Sequence, residues 1–234
     1  MANGQQCSLL AILGGAPGSR LVLTLALALA ATACAPLGEP RTVIGAGPRA
    51  LLDDDLRRPR SWAAARGTIC RASYADGGFV VENIARSAPC LLGPVRPEVF
   101  PAGVRIEVTA RLRKGTREGA FGIMFAGRGG PDRRTFATFA LTANGTYRVA
   151  SWNGKWTYPV PPTASRSVKT GYGAPNTLVV ELRERSIVAY VNGRPVATAE
   201  LPTEGAGTLG FYVDQRGMEV LFSNLRVSEL APLP

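Results

Sequence analysis

The chain has 234 residues, 46% of them hydrophobic and 19% charged, with a formal net charge of +10. This is the composition of a globular protein, with room for one or two domains, and not that of a disordered one. There is no histidine, which excludes Ser-His-Asp and Cys-His catalysis and histidine-ligated zinc within the chain.

Of the 27 basic residues only Lys114, Lys155 and Lys169 are lysines, so 24 are arginines. A high-GC genome produces that bias with no function attached. Attraction to an acidic polymer, polysaccharide or lipid headgroup is the functional alternative. The basic residues are scattered rather than blocked, so nucleic acid is not expected as a partner.

Leu21 to Ala31 reads LVLTLALALAA, preceded by Arg20 and followed by Thr32-Ala33-Cys34. A positive flank, a short apolar run and small residues before a cleavage point form an export signal. The run is too short to span a membrane comfortably. The cysteine directly after the small residues makes the segment resemble a bacterial lipoprotein signal. That resemblance implies a lipid on Cys34 and anchoring to the cell envelope, periplasmic or extracellular. Cleavage by a general signal peptidase after Ala33 is the alternative, and both export the chain. The expected organisation is a signal peptide over 1–33, a Pro- and Gly-rich tether over 34–50 and one domain over 51–230.

Asp53-Asp54-Asp55 is read as a turn or strand entry, because no calcium-ligand spacing accompanies it. A turn of helix is expected near Leu51–Arg58. Cys70 and Cys90 remain as an even pair in an exported domain and are read as a disulfide, two free buried thiols being the alternative. Trp62 is expected in the core.

From Val104 the pattern becomes regular. Val104, Ile106, Val108, Ala110 and Leu112 alternate with Arg105, Glu107, Thr109, Arg111 and Arg113, which predicts a strand with one buried face. Ala120–Ala126 predicts a second, more buried strand. Thr135–Leu141 and Thr146–Trp152 flank Asn144-Gly145, a strong hairpin signal. Asn153-Gly154 separates the next run, Lys155–Tyr158. Leu178, Val180 and Leu182 mark a further strand, Asn192-Gly193 joins Ser186–Val191 to Arg194–Leu201, and the last runs are Gly207–Val213 and Met218–Val227. Ten to twelve short strands predict an all-β, two-sheet antiparallel sandwich.

The order YADGGFVVEN, GIMF, TFATFALTANGTYRVASWNGKW, NTLVVELRERSIVAYVNGRPVAT, GTLGFYV, VLFSNLRV resembles the concanavalin A-like lectin/glucanase superfamily, closest to its laminin G-like and 3-keto-disaccharide-hydrolase-like branches. The resemblance implies a jelly roll with a concave sheet often used for carbohydrate. Its markers are hairpin punctuation. The E-x-D-x-E carboxylates of the superfamily's glucanases are absent, and its calcium ligands cannot be placed, so no catalytic or metal residue is carried over.

Three sets of side chains are candidates. Trp152, Trp156 and Tyr158 cluster around Asn153-Gly154, where aromatic faces would stack on sugar rings; packing between strands is the alternative. Arg105, Arg111 and Arg113 share the outward face of one strand, as a groove for acidic polymer or as a device that keeps a sheet soluble. Glu107, Glu118, Glu181, Glu184, Asp214 and Glu219 are the general acid/base candidates, with solvated ion pairs as the alternative for Glu107 and Glu181.

The expected function is an exported, lipid-anchored, non-catalytic module that recognises polysaccharide or another envelope polymer, with no cofactor and no metal. It would meet the membrane only through its anchor. The alternatives are an accessory lipoprotein docking on a protein partner, and a glycoside hydrolase with an unrecognised carboxylate pair.

Overall fold

A computed structural model describes residues 48–96, 98–129, 134–202 and 205–231. Cys34, the expected export segment and most of the expected tether lie outside the described residues. The described residues form fifteen strands and no helix. They are β1 (Ala50–Asp54), β2 (Ala65–Arg66), β3 (Cys70–Ala75), β4 (Gly78–Asn83), β5 (Cys90–Leu92), β6 (Val104–Lys114), β7 (Ala120–Arg128), β8 (Thr135–Thr142), β9 (Thr146–Trp152), β10 (Trp156–Ala164), β11 (Asn176–Arg183), β12 (Ser186–Val191), β13 (Arg194–Glu200), β14 (Thr208–Val213) and β15 (Glu219–Glu229).

The strands form two antiparallel sheets. One has nine strands, in the order β13-β12-β11-β6-β15-β4-β3-β2, with β1 also paired to β15. The other has six, in the order β10-β9-β8-β7-β14-β5. The two-residue alternation along β6 survives as buried and half-buried positions, so Ile106, Val108, Ala110 and Leu112 face the core. Phe121, Ile123, Phe125, Phe139, Leu141, Val149, Phe211 and Val213 meet them from the six-stranded sheet. Each fully buried side chain of this size contributes about 1.5–3 kcal/mol. Trp62 is 1% exposed, as expected of a core residue. Its ring lies 4.3 Å from that of Phe211, which stacks on Phe222 at 4.3 Å and 22°. The architecture is the expected all-β sandwich.

Three details differ from the sequence reading. Residues near Leu51–Arg58 form β1 and a bend at Leu56 (φ 60°), not a helical turn; pairing with the end of β15 outweighs local preference. The count exceeds twelve by three: β1 stands where a helical turn is expected, and β2 and β5, of two and three residues, are too short to show a period. Of the three Asn-Gly corners, only Asn192-Gly193 has both residues at positive φ (52° and 78°). At Asn144-Gly145 and Asn153-Gly154 only the glycine is positive, the geometry of longer hairpin loops.

Both long edges carry proline. Edge strand β10 runs through Pro159, Pro161 and Pro162 to Ala164, and β13 opens with Arg194-Pro195. A proline offers no N–H to an incoming strand, which protects a sheet edge.

Cys70 and Cys90 are joined. The bond ties the start of β3, in the nine-stranded sheet, to the start of β5, in the six-stranded one. It closes the segment that carries Ser87, Ala88 and Pro89. Asn83, fully buried, holds the same segment: its Nδ2 donates to the carbonyls of Ala88 (3.0 Å), Val213 (3.1 Å) and Asp214 (2.8 Å), and its Oδ1 accepts from the Ala85 N–H at 2.9 Å.

Candidate functional site

The face of the six-stranded sheet turned away from the core carries a second, smaller apolar cluster. Ala120, Ala140 and Tyr212 are buried there, with Leu91 and Trp156 packed against them. Register explains how it is built. One row across the sheet runs Leu91, Tyr212, Gly122, Ala140, Arg148. The two middle positions are small, so Tyr212 and Arg148 can lean over them from either side, across three strand spacings of about 4.8 Å each. They meet: Arg148 Nη2 donates to Tyr212 OH at 2.9 Å and to Asp214 Oδ2 at 3.1 Å.

A second row runs Trp156, Trp152, Phe136. Trp156 is its hub. Its ring stands edge-on to Trp152 at 5.3 Å and 61°, to Phe136 at 5.5 Å and to Tyr212 at 6.3 Å. Trp152, Trp156 and Phe136 form one wall of a recess of about 480 Å³; Ser87, Ala88 and Pro89, from the segment held by Asn83 and the disulfide, form the other. That volume is in the range of small-ligand sites.

The electrostatics follow from burial. Burial pushes the Tyr212 phenol well above its ordinary value, Asp214 adds to the rise, and Arg148 only partly opposes it. Burial pulls the Arg148 guanidinium down, but Tyr212 and Asp214 outweigh it and leave a net rise. Arg148 is therefore a fixed cation and Tyr212 a neutral phenol at any physiological pH. Tyr158, 47% exposed, lies under the same guanidinium at 5.9 Å. Two polar atoms of this face, Thr138 Oγ1 and Arg148 Nε, are buried without a hydrogen-bond partner.

The structure thus brings Trp152, Trp156 and Tyr158 onto one face. It places Arg105, Arg111 and Arg113 on the outer face of the other sheet. There Arg105 meets Glu181 at 2.7 Å and Glu107 at 3.4 Å and lies 5.7 Å from the Tyr190 ring. Arg113 meets Asp76 at 2.6 Å and Glu219 at 3.0 Å, while Arg111 Nε is buried without a partner. Glu107 and Glu181 are in ion pairs with Arg105, the alternative to a general acid/base role. Such half-exposed pairs are worth about 0–1 kcal/mol each. Arg148 and Tyr212 carry no signal in the sequence, since they sit 64 residues apart and meet only through register. Among the described residues no group of three potential metal ligands gathers.

No protein-family model matches the chain, and no curated protein matches it in sequence. Solved structures do match. The chain is similar to a carbohydrate-binding module, CBM66, from Bacillus subtilis, at 14% identity and a TM-score of 0.56, over 68% of this chain and 92% of that one. It is similar to a protein of unknown function with a galectin-like fold from Bacillus subtilis, at 14% identity and a TM-score of 0.58, over 77% and 96%. The fold is a galectin-like jelly roll. A third similar structure comes from work on endo-acting O-glycanases of the human gut microbiota, at 14% identity and a TM-score of 0.54, over 78% and 100%. These likenesses concern the fold.

Proposed function

We propose that this protein binds carbohydrate on the outer face of its six-stranded sheet and works as an exported envelope module. The observation that carries the reading is the half-exposed Trp152–Trp156 pair beside a 480 Å³ recess. Indole faces stack on the C–H faces of sugar rings, and the neighbouring Arg148–Tyr212–Asp214 cluster supplies fixed polar groups that orient hydroxyls. The CBM66 likeness supports the same reading at the level of fold. Binding is favoured over cleavage because no carboxylate lines the recess among its described residues, whereas glycoside hydrolysis needs two, about 5–9.5 Å apart.

The export reading adds a lipid on Cys34. It is supported by the signal-like segment and by the Cys70–Cys90 disulfide, a bond that persists in oxidising compartments. Metabolic labelling with a fatty acid should mark the protein and not its Cys34→Ala variant; equal labelling of both would refute the anchor.

A glycan array, followed by pull-down on envelope polysaccharides, tests the binding. Trp156→Ala and Trp152→Ala should each weaken binding about tenfold, the equivalent of about 1.4 kcal/mol, with the thermal midpoint showing that the sandwich stays folded. Binding to no polysaccharide, or unchanged binding in both variants, would refute the reading.

A further inference from the structure

A second recess, of about 460 Å³, lies on the same face between Val99, Met124, Gly127, Gly207 and Thr208. Leu91 and Arg134 line both recesses, so the two form one groove with Arg134 at the junction. The charge balance of this groove is unlike that of the opposite sheet. There Arg105, Arg113 and Arg226 each face a carboxylate, and Arg111, with its Nε buried, is the exception among the arginines named on that face. Along the groove no carboxylate lines either half among the described residues. Arg128 is engaged, its Nε donating to the Ala206 carbonyl at 2.6 Å. Arg134 is exposed, with no ion pair or hydrogen-bond partner among the described residues.

An exposed guanidinium with no counter-charge among the described residues, set in an otherwise mostly apolar groove beside an aromatic wall, is complementary to an anion carried on a sugar. Its planar fork matches a carboxylate or sulfate through two parallel N–H···O bonds. We propose that the groove takes an acidic oligosaccharide, one ring against Trp152 and Trp156 and the carboxylate or sulfate of a neighbouring ring on Arg134. This rests on the carbohydrate reading above and narrows it to a substrate class. The net charge of +10 draws such a polymer toward the surface, and Arg134 gives the attraction an address.

Calorimetric titration of the purified protein with four probes tests it: hexagalacturonate, a heparin hexasaccharide, cellohexaose and maltohexaose. At low salt at least one acidic probe should bind ten times more tightly than either neutral one, and the gap should narrow in 0.5 M salt, roughly where screening shortens to a few ångströms. Arg134→Gln should weaken the acidic probe about tenfold. Arg194→Gln, which removes the same charge from edge strand β13, should leave it unchanged. Equal effects of the two variants, or neutral probes binding as tightly as acidic ones, would overturn the acidic class and leave the carbohydrate reading standing. Failure of all four probes, together with a blank glycan array, would overturn both.

Discussion

Tyr212 shows how one side chain links the stability of the sandwich to its candidate site. Its ring is 1% exposed and its hydroxyl accepts from Arg148. Burial raises its pKa above the ordinary phenol value near 10, and burial raises that of Tyr190 too, with Glu181 adding to the rise. Below pH 10 these phenols are protonated in both folded and unfolded chains and contribute no pH dependence. Above it the unfolded chain sheds their protons first, so the unfolded state binds fewer protons and stability falls. The calorimetric midpoint should therefore be level from pH 7 to 9 and decline above 10, with a shallower decline in Tyr212→Phe. A midpoint that rises above pH 10, or an identical decline in the variant, would contradict this account. Sequence reasoning could see Tyr212 only as one letter in a buried strand. Its meaning depends on Gly122 and Ala140 being small in the two intervening strands, a fact about register.

At the scale of elements, legibility followed period and punctuation. β6 was readable because ten residues, Val104 to Arg113, alternate without a break. The hairpins around Asn144-Gly145, Asn153-Gly154 and Asn192-Gly193 were readable because those pairs suit tight reversals. What tightens Asn192 was not: its Nδ2 donates to the Ser167 carbonyl at 2.7 Å and to Asn176 Oδ1 at 2.8 Å, and its Oδ1 accepts from the Thr177 N–H at 2.9 Å. The pairing of Cys70 with Cys90 followed from counting, but its role did not. The bond holds the start of β5 next to the wall formed by Ser87, Ala88 and Pro89. In the chain-entropy picture, closing a loop of about twenty residues stabilises by about 3 kcal/mol. Cys70→Ala/Cys90→Ala should lower the unfolding free energy by about that amount. It should also weaken saccharide binding several-fold at temperatures where the variant remains folded. A loss of stability with full affinity would separate the bond from the site.

Across the whole molecule the two outer faces are organised differently. The nine-stranded sheet presents paired charges: Arg71 with Glu82, Arg105 with Glu181, Arg113 and Lys114 with Glu219, Arg226 with Asp53. The six-stranded sheet presents indoles, a phenol and an exposed Arg134. The alternation along β6 marked Arg105, Arg111 and Arg113 as outward-facing, yet the carboxylates that meet Arg105 and Arg113 sit mostly on other strands, out of reach of local pattern. The aromatic trio was legible as a cluster because a short hairpin keeps it local; the groove it borders was not, because β5, β7, β8 and β14 complete it. The central claim is that this groove, and no other face, receives the saccharide. The three tryptophans make that directly measurable: Trp152 and Trp156 line the groove, while Trp62 is in the core. Titrating ¹⁵N-labelled protein with the tightest-binding oligosaccharide and following the three indole N–H signals, the account predicts that those of Trp152 and Trp156 shift and that of Trp62 stays. Saturating saccharide that leaves all three in place, or shifts confined to the nine-stranded sheet, would contradict it.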